Sequence, residues 1–379
     1  MKKILLFLIS IVFLFVLSSW NKEKNDDLVS YLKSNGMSPE EYVLSKFQDH
    51  DYVLLGEYHR IKHDVELVLN LIPKLYESGI NNLCIEFGNY EDQYLVDSLL
   101  ALPYFDRELA KKIIFNSGPF WGYTEYIDIY KVAWEVNQSG NKEKFRVINI
   151  CPLYDPCKKG GARVDADPDS LMADVILKTV IEKKEKALIY SGGHHAFTKY
   201  HQPIYNTKKG SLLGYETKRM GNIIYNHVGE RAFNISLHSP WRTKSDKPVL
   251  PVNGIIDSVM QTLGNKPVGF DVVDTPFGKL ESNDSYYALG YPDFTLDKYC
   301  DGYIFQKALR DYEPVTVEPV FYNEENIGRV RAYCKCKGFD PELCDSFTPE
   351  KANKEELSKE DVRNHWKGLI DRNYEPKRE

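Results

Sequence analysis

Two glutamates and several histidines occur where apolar runs end. "YVLLGEYHRIKHD", residues 52–64, begins as a buried-strand pattern and breaks at Gly56 into Glu57 and His59. "NNLCIEFG", residues 81–88, stops at Glu86 in the same way, and "KALIYSGGHHAF", residues 186–197, runs into His194 and His195. Carboxylates and imidazoles in one cleft permit two chemistries. An imidazole can take a proton from water while carboxylates orient it and tune its pKa. Alternatively Glu57, His59, Glu86 and His194 or His195 hold zinc, iron or manganese, with an open position for water. The sequence leaves both open. His63 reads as a neighbouring or solvated group, and His50, His201, His227, His238 and His365 as structural.

The elements around these residues alternate. Tyr52 to Leu55 is a first strand, and a helix over 62–78 carries Val65, Val68, Leu69, Ile72 and Leu75 on one stripe and ends at Gly79. Strands follow at 81–88, 145–150, 186–192 and 231–238, with strand-like runs at 267–273 and 301–308. Helices are expected over 28–48, within 91–138, over 169–183 with Asp169 or Ser170 as cap, and over 216–229. This order predicts an α/β fold: a mainly parallel sheet flanked by helices on both faces, with a helical insertion and a C-terminal extension. Parallel strands would bring Glu57, His59, Glu86, His194 and His195 to one sheet edge, where such folds bind ligands. The aromatic run around Trp121, Tyr123, Tyr126 and Tyr130 reads first as core and could wall a pocket for a large apolar ligand.

The chain has 379 residues, 42% hydrophobic and 27% charged, enough for a large core. A net charge of -6 without a basic stripe argues against nucleic acid as partner. Lys2 and Lys3 precede an apolar run at 4–20, which reads as an export signal or an N-terminal anchor. That reading places the protein in the periplasm or at the envelope of a bacterium, touching membrane only through this segment. Residues 21–27 form an expected linker, 28–320 the α/β domain and 321–379 a polar tail with cysteines. Of seven cysteines, Cys84 reads as a buried thiol, and Cys151 and Cys157 as able to close a small ring. "CKCKGFDPELC" reads as a disulfide segment rather than a zinc knuckle.

There is no G-x-S-x-G, Walker A or G-x-G-x-x-G motif. Taken together, "LLGEYH", "CIEFG" and "YSGGHHAF" resemble the superfamily that joins erythromycin esterases, ChaN-like haem-binding uptake proteins and TIKI/TraB-type metalloproteases. Glu57 and His59 match its G-E-x-H element in the ChaN-like spacing, Glu86 its second-strand acid, and Gly192 to His195 its G-x-x-H element, which favours His195 over His194. "WGYTEYIDIYKVAWEVN", "PDSLMADVI" and "RMGNIIYNHVGERAFNISL" look similar to further segments, so the resemblance spans about residues 45–310. Arg60 departs from it, standing where ChaN-like proteins usually have aspartate. The resemblance implies either a hydrolase of an ester or peptide bond, acting on a small molecule or peptide, or a haem carrier. In the latter, Tyr58, His194, Trp121 and Tyr123 would line the cofactor pocket.

Overall fold

The computed structural model describes residues 25–139, 143–152, 157, 167–206, 211–359 and 361–374. The N-terminal apolar run lies outside them. Residues 25–27 of the expected linker already belong to a helix over 25–35. No helix among the described residues is long and apolar enough to cross a membrane.

Among the described residues the strands are β1 (Tyr52–Glu57), β2 (Asn82–Asn89), β3 (Arg146–Cys151), β4 (Ala187–Gly192), β5 (Gln202–Asn206), β6 (Ser211–Glu216), β7 (Ala232–Leu237), β8 (Trp241–Arg242), β9 (Pro248–Val249), β10 (Val268–Asp271) and β11 (Gly302–Phe305). Seven of them form one sheet in the order β10-β11-β7-β1-β4-β2-β3. Every neighbouring pair in it is parallel except β10 with β11. β5–β6 and β8–β9 are separate antiparallel pairs. The expected helix over 216–229 begins only at Met220, because 211–216 is the second strand of the β5–β6 hairpin.

β1 is buried at every position because both faces of the sheet are covered. Successive side chains alternate between the faces. Val53, Leu55, Leu83, Ile85, Leu188 and Tyr190 pack with the helices Lys62–Glu77 and Thr124–Ser139. Tyr52, Leu54, Cys84, Ile148 and Ile189 pack with the helices Pro168–Ile176 and Met220–Val228. Each fully buried Val or Leu contributes about 2 kcal/mol by leaving water. The same alternation separates the two acids at the strand ends. Glu57 continues the Val53–Leu55 face, whereas Glu86 continues the Cys84 face.

The insertion between β2 and β3 holds the helices Gln93–Ala101, Arg107–Ser117 and Thr124–Ser139. The C-terminal segment is packed onto the α/β body. Phe321, Tyr322, Ile327, Val330, Cys334 and Cys344 join the larger core, and Val362, Trp366 and Leu369 pack with Ile61 and Tyr312. Disulfides join Cys157 to Cys336 and Cys334 to Cys344. The expected Cys151–Cys157 ring is therefore not formed. Cys151 still belongs to β3 and keeps a free thiol, while Cys157 is exposed beyond it. Cys84 is free and buried, as its apolar run implied.

Candidate functional site

The parallel register sets Glu57 of β1 beside Gly192 of β4. β4 also pairs with β2 up to Ile85, the residue before Glu86. The β2–β3 register slips between Ile85 and Asn89, and such irregularities re-aim side chains at sheet ends. Three strand ends thus bring Glu57, His59, Glu86 and His195 together.

Glu57 is almost wholly buried and accepts three hydrogen bonds. Tyr126 donates to Oε1 over 2.8 Å, His59 Nδ1 to Oε1 over 2.9 Å, and Tyr190 to Oε2. Tyr190 shares the Glu57 face of the sheet, and Tyr126 comes from the helix packed on it. Burial pushes the Glu57 carboxyl above its ordinary pKa, against the pull of His59 and the two hydroxyls. Burial opposes protonation of His59, but the hydrogen bond and charge of Glu57, helped by Glu86, outweigh it and raise the imidazole pKa. The pair therefore shares a proton held on Nδ1, because both phenols donate to the carboxylate and stabilise its anion. With Nδ1 committed, Nε2 is the nitrogen left for chemistry.

The His59 side chain is 42% exposed, and that exposure opens into a cavity of about 670 Å³. Phe87 and Trp121 hold the ring edge-on, with centroids 5.6 and 5.5 Å away. Gly192 is needed where the groups converge. A Cβ there would lie 2.7 Å from His59 Cε1, 3.1 Å from Nε2 and 3.4 Å from Glu86 Oε2.

On the other face, Glu86 Oε2 accepts the Gly192 N–H at 2.7 Å, and Oε1 lies 3.4 Å from His195 Nε2. His195 Nδ1 donates to Asp169 over 2.6 Å. Asp169 also accepts from Arg219 at 2.9 Å and from the Met220 backbone at 2.8 Å. Burial works against the imidazolium of His195, but the charges of Glu86 and Asp169 prevail and raise its pKa. Burial also opposes the Asp169 anion, which His195, Met220 and Arg219 nevertheless hold below the ordinary value. Asp169 is not the helix cap expected of it: Asp167 caps that helix and Asp169 turns inward.

His194 also lines the cavity, within 3.0 Å of the Tyr287 hydroxyl. Burial, then the neighbouring cations Arg219, His195 and Arg242, push its pKa down to about 3, so it is neutral. Tyr58 and Trp121 line the cavity. Tyr123 does not. It is buried, and its hydroxyl donates to the Ser358 carbonyl of the C-terminal segment. Glu57 is spent on two phenols and an imidazole, and no group of three or more His, Cys, Asp or Glu among the described residues is arranged to hold a metal ion.

Sequence reasoning missed Tyr126, Tyr190 and Asp169 as partners. The tyrosines sit at core positions of a helix and a strand, where the pattern reads as packing. Asp169 looks like any acid in a first helical turn.

No family model matches the chain, and no curated protein matches it. Among solved structures, a succinoglycan biosynthesis protein superposes with a TM-score of 0.52 at 11% identity, over 78% of this chain and 99% of that one. The mainly parallel α/β fold is thus shared with a known structure. An erythromycin esterase mutant in its open conformation gives a TM-score of 0.49 at 11% identity, covering 71% of this chain and 93% of that one. The ChaN of Campylobacter jejuni, which binds heme cofacially, gives 0.33 at 14% identity, covering 56% and 90%.

Proposed function

We propose that this chain is a hydrolase that activates water between its two Glu–His pairs. The observation that carries the reading is the clamp on His59. Glu57, itself fixed by Tyr126 and Tyr190, holds Nδ1, which leaves Nε2 of this cavity-lining imidazole as a general base. In an ester substrate, Nε2 takes a proton from water as the water oxygen bonds to the acyl carbon. The C–O bond then breaks, and the departing alkoxide takes the proton of His195, which Asp169 and Glu86 keep charged. Glu86 accepts the Gly192 N–H, lies 3.4 Å from His195 Nε2 and supports the His59 imidazolium through its charge. An amide would be cleaved by the same transfers.

The expected compartment is outside the cytoplasm, as the N-terminal sequence suggests. Two disulfides support this, since such bonds persist where the medium is oxidising.

The test is turnover of p-nitrophenyl butyrate by the full chain. Glu57→Gln, His59→Ala and His195→Ala are each expected to lower kcat by about 10²–10⁴-fold, the usual weight of a positioned acid or base. Unchanged turnover in all three would remove the reading. A haem carrier is the second reading, favoured by a cavity large enough for such a ligand with Tyr58, Trp121 and His194 in its lining. Its sign is a Soret band on adding haemin that disappears in Tyr58→Phe.

A further inference from the structure

The chain carries a formal charge of -6, yet three cations line its cavity. Arg60, Arg242 and Lys244 line it, and among the described residues the carboxylates in the lining are Glu57, held by His59, and Asp246. Asp246 pairs with Arg242 at 3.1 Å across the exposed β8–β9 hairpin. Exposed pairs of this kind are weak and exchange readily for a better anion.

Arg60 is set with more care. It follows His59 directly and adopts a left-handed backbone, φ 69°, which a side chain other than glycine seldom takes. The conformation is fastened at both ends: its N–H donates to the Tyr126 hydroxyl at 3.2 Å, and its carbonyl accepts from the Val315 N–H at 3.2 Å. The outcome is a guanidinium laid over the Trp121 ring at 4.7 Å, the same indole that lies 5.5 Å from the His59 ring. The base and this cation therefore flank a single side chain.

We infer that the site takes a substrate carrying an oxyanion, a carboxylate or phosphate held by the Arg60 and Arg242 guanidinium groups beside the bond to be cleaved. Guanidinium forks match both anions in two-point fashion. Trp121, Tyr286 and Tyr287 supply flat surface for the rest of the molecule. The hydrolytic part of this inference rests on the function proposed above, whereas the anion site itself does not.

The experiment compares p-nitrophenyl hemisuccinate, which is anionic, with neutral p-nitrophenyl butyrate on the full chain. The ratio of kcat/KM for the two is expected to favour the anion about tenfold, and to fall about tenfold in Arg60→Gln and in Arg242→Gln, the loss of one charge-assisted contact. Arg242 is exposed on its hairpin, so its variant keeps the test meaningful if Arg60→Gln does not fold. A parallel titration follows tryptophan fluorescence on adding benzylphosphonate, which should bind and weaken about tenfold in the same variants. A wild-type ratio at or below one, or a ratio untouched by either variant, overturns the inference while leaving the hydrolase intact. If neither ester is turned over, the hydrolase reading fails and benzylphosphonate decides alone. Binding that weakens in the variants upholds the anion site, and absence of binding, or binding indifferent to them, overturns it.

Discussion

Gly192 and Asp169 show how narrowly the clustered imidazoles and carboxylates are held. A methyl at position 192 would press on His59 Cε1 from 2.7 Å, so the imidazole must move if the strand does not. Misplacement of about 1 Å costs on the order of 100-fold in rate. Gly192→Ala is therefore expected to lower kcat/KM by about 100-fold, with overpacking lowering stability by about 1–3 kcal/mol. Ester turnover and a urea midpoint on the same sample check both. Asp169→Asn removes an anion that supports the His195 imidazolium, so that imidazole should release its proton at lower pH. If His195 is the acid, the falling limb of the pH–rate profile moves down in pH, and a limb that stays in place would contradict the role. These roles were partly legible in the sequence. Glu57, His59, Glu86 and His195 stand out as polar residues ending apolar runs. Tyr126 and Tyr190 do not, because a tyrosine inside a core pattern gives no sign of where its hydroxyl points.

The helix Lys62–Glu77 starts with two buried polar residues, His63 and Asp64. Burial, with Lys307 and His238 nearby, pushes the His63 pKa down to about 3. Burial, then the charge of Glu57, raises that of Asp64 despite a hydrogen bond from Gln306 at 2.9 Å. Proton linkage sets the sign of each contribution. His63 is neutral when folded and protonated when unfolded below about pH 6.5, so its contribution to stability falls as pH drops from there toward 3. Asp64 has the opposite sign, losing its contribution as pH rises above the ordinary carboxylate range. His63→Phe is expected to flatten the acid limb of the stability curve by about 1.4 kcal/mol per pH unit. Urea midpoints between pH 4 and 6.5 would show it, and an unchanged slope would refute it. At this scale the sequence placed the main strands well, because parallel strands buried on both faces read as unbroken apolar runs. It missed β5–β6: Leu212 and Leu213 on β6 are exposed, so the alternation that marks a half-buried strand is absent.

The C-terminal segment is a wall of the molecule, and its polar composition concealed that. Trp366 packs edge-on against Tyr58 at 4.8 Å, and His365 Nε2 lies 3.2 Å from the hydroxyl of Tyr58, the residue before His59. Cys157–Cys336 ties this segment to the region after β3 across 179 positions. Its pairing could not be read from spacing, since the partners meet only once the fold is complete. Cys336→Ser is expected to cost about 2–4 kcal/mol, as loss of a long-range crosslink does. Guanidinium midpoints of this variant and the parent would measure that loss, and equal midpoints would exclude a stabilising role.

The proposed chemistry depends most on Glu57 holding a proton on His59. Nitrogen-15 NMR of the imidazoles across pH, with His59 assigned by substitution, tests this without a substrate. The predicted result is a His59 pKa above the ordinary imidazole value that falls in Glu57→Gln. A titration at or below that value, indifferent to Glu57→Gln, would contradict it.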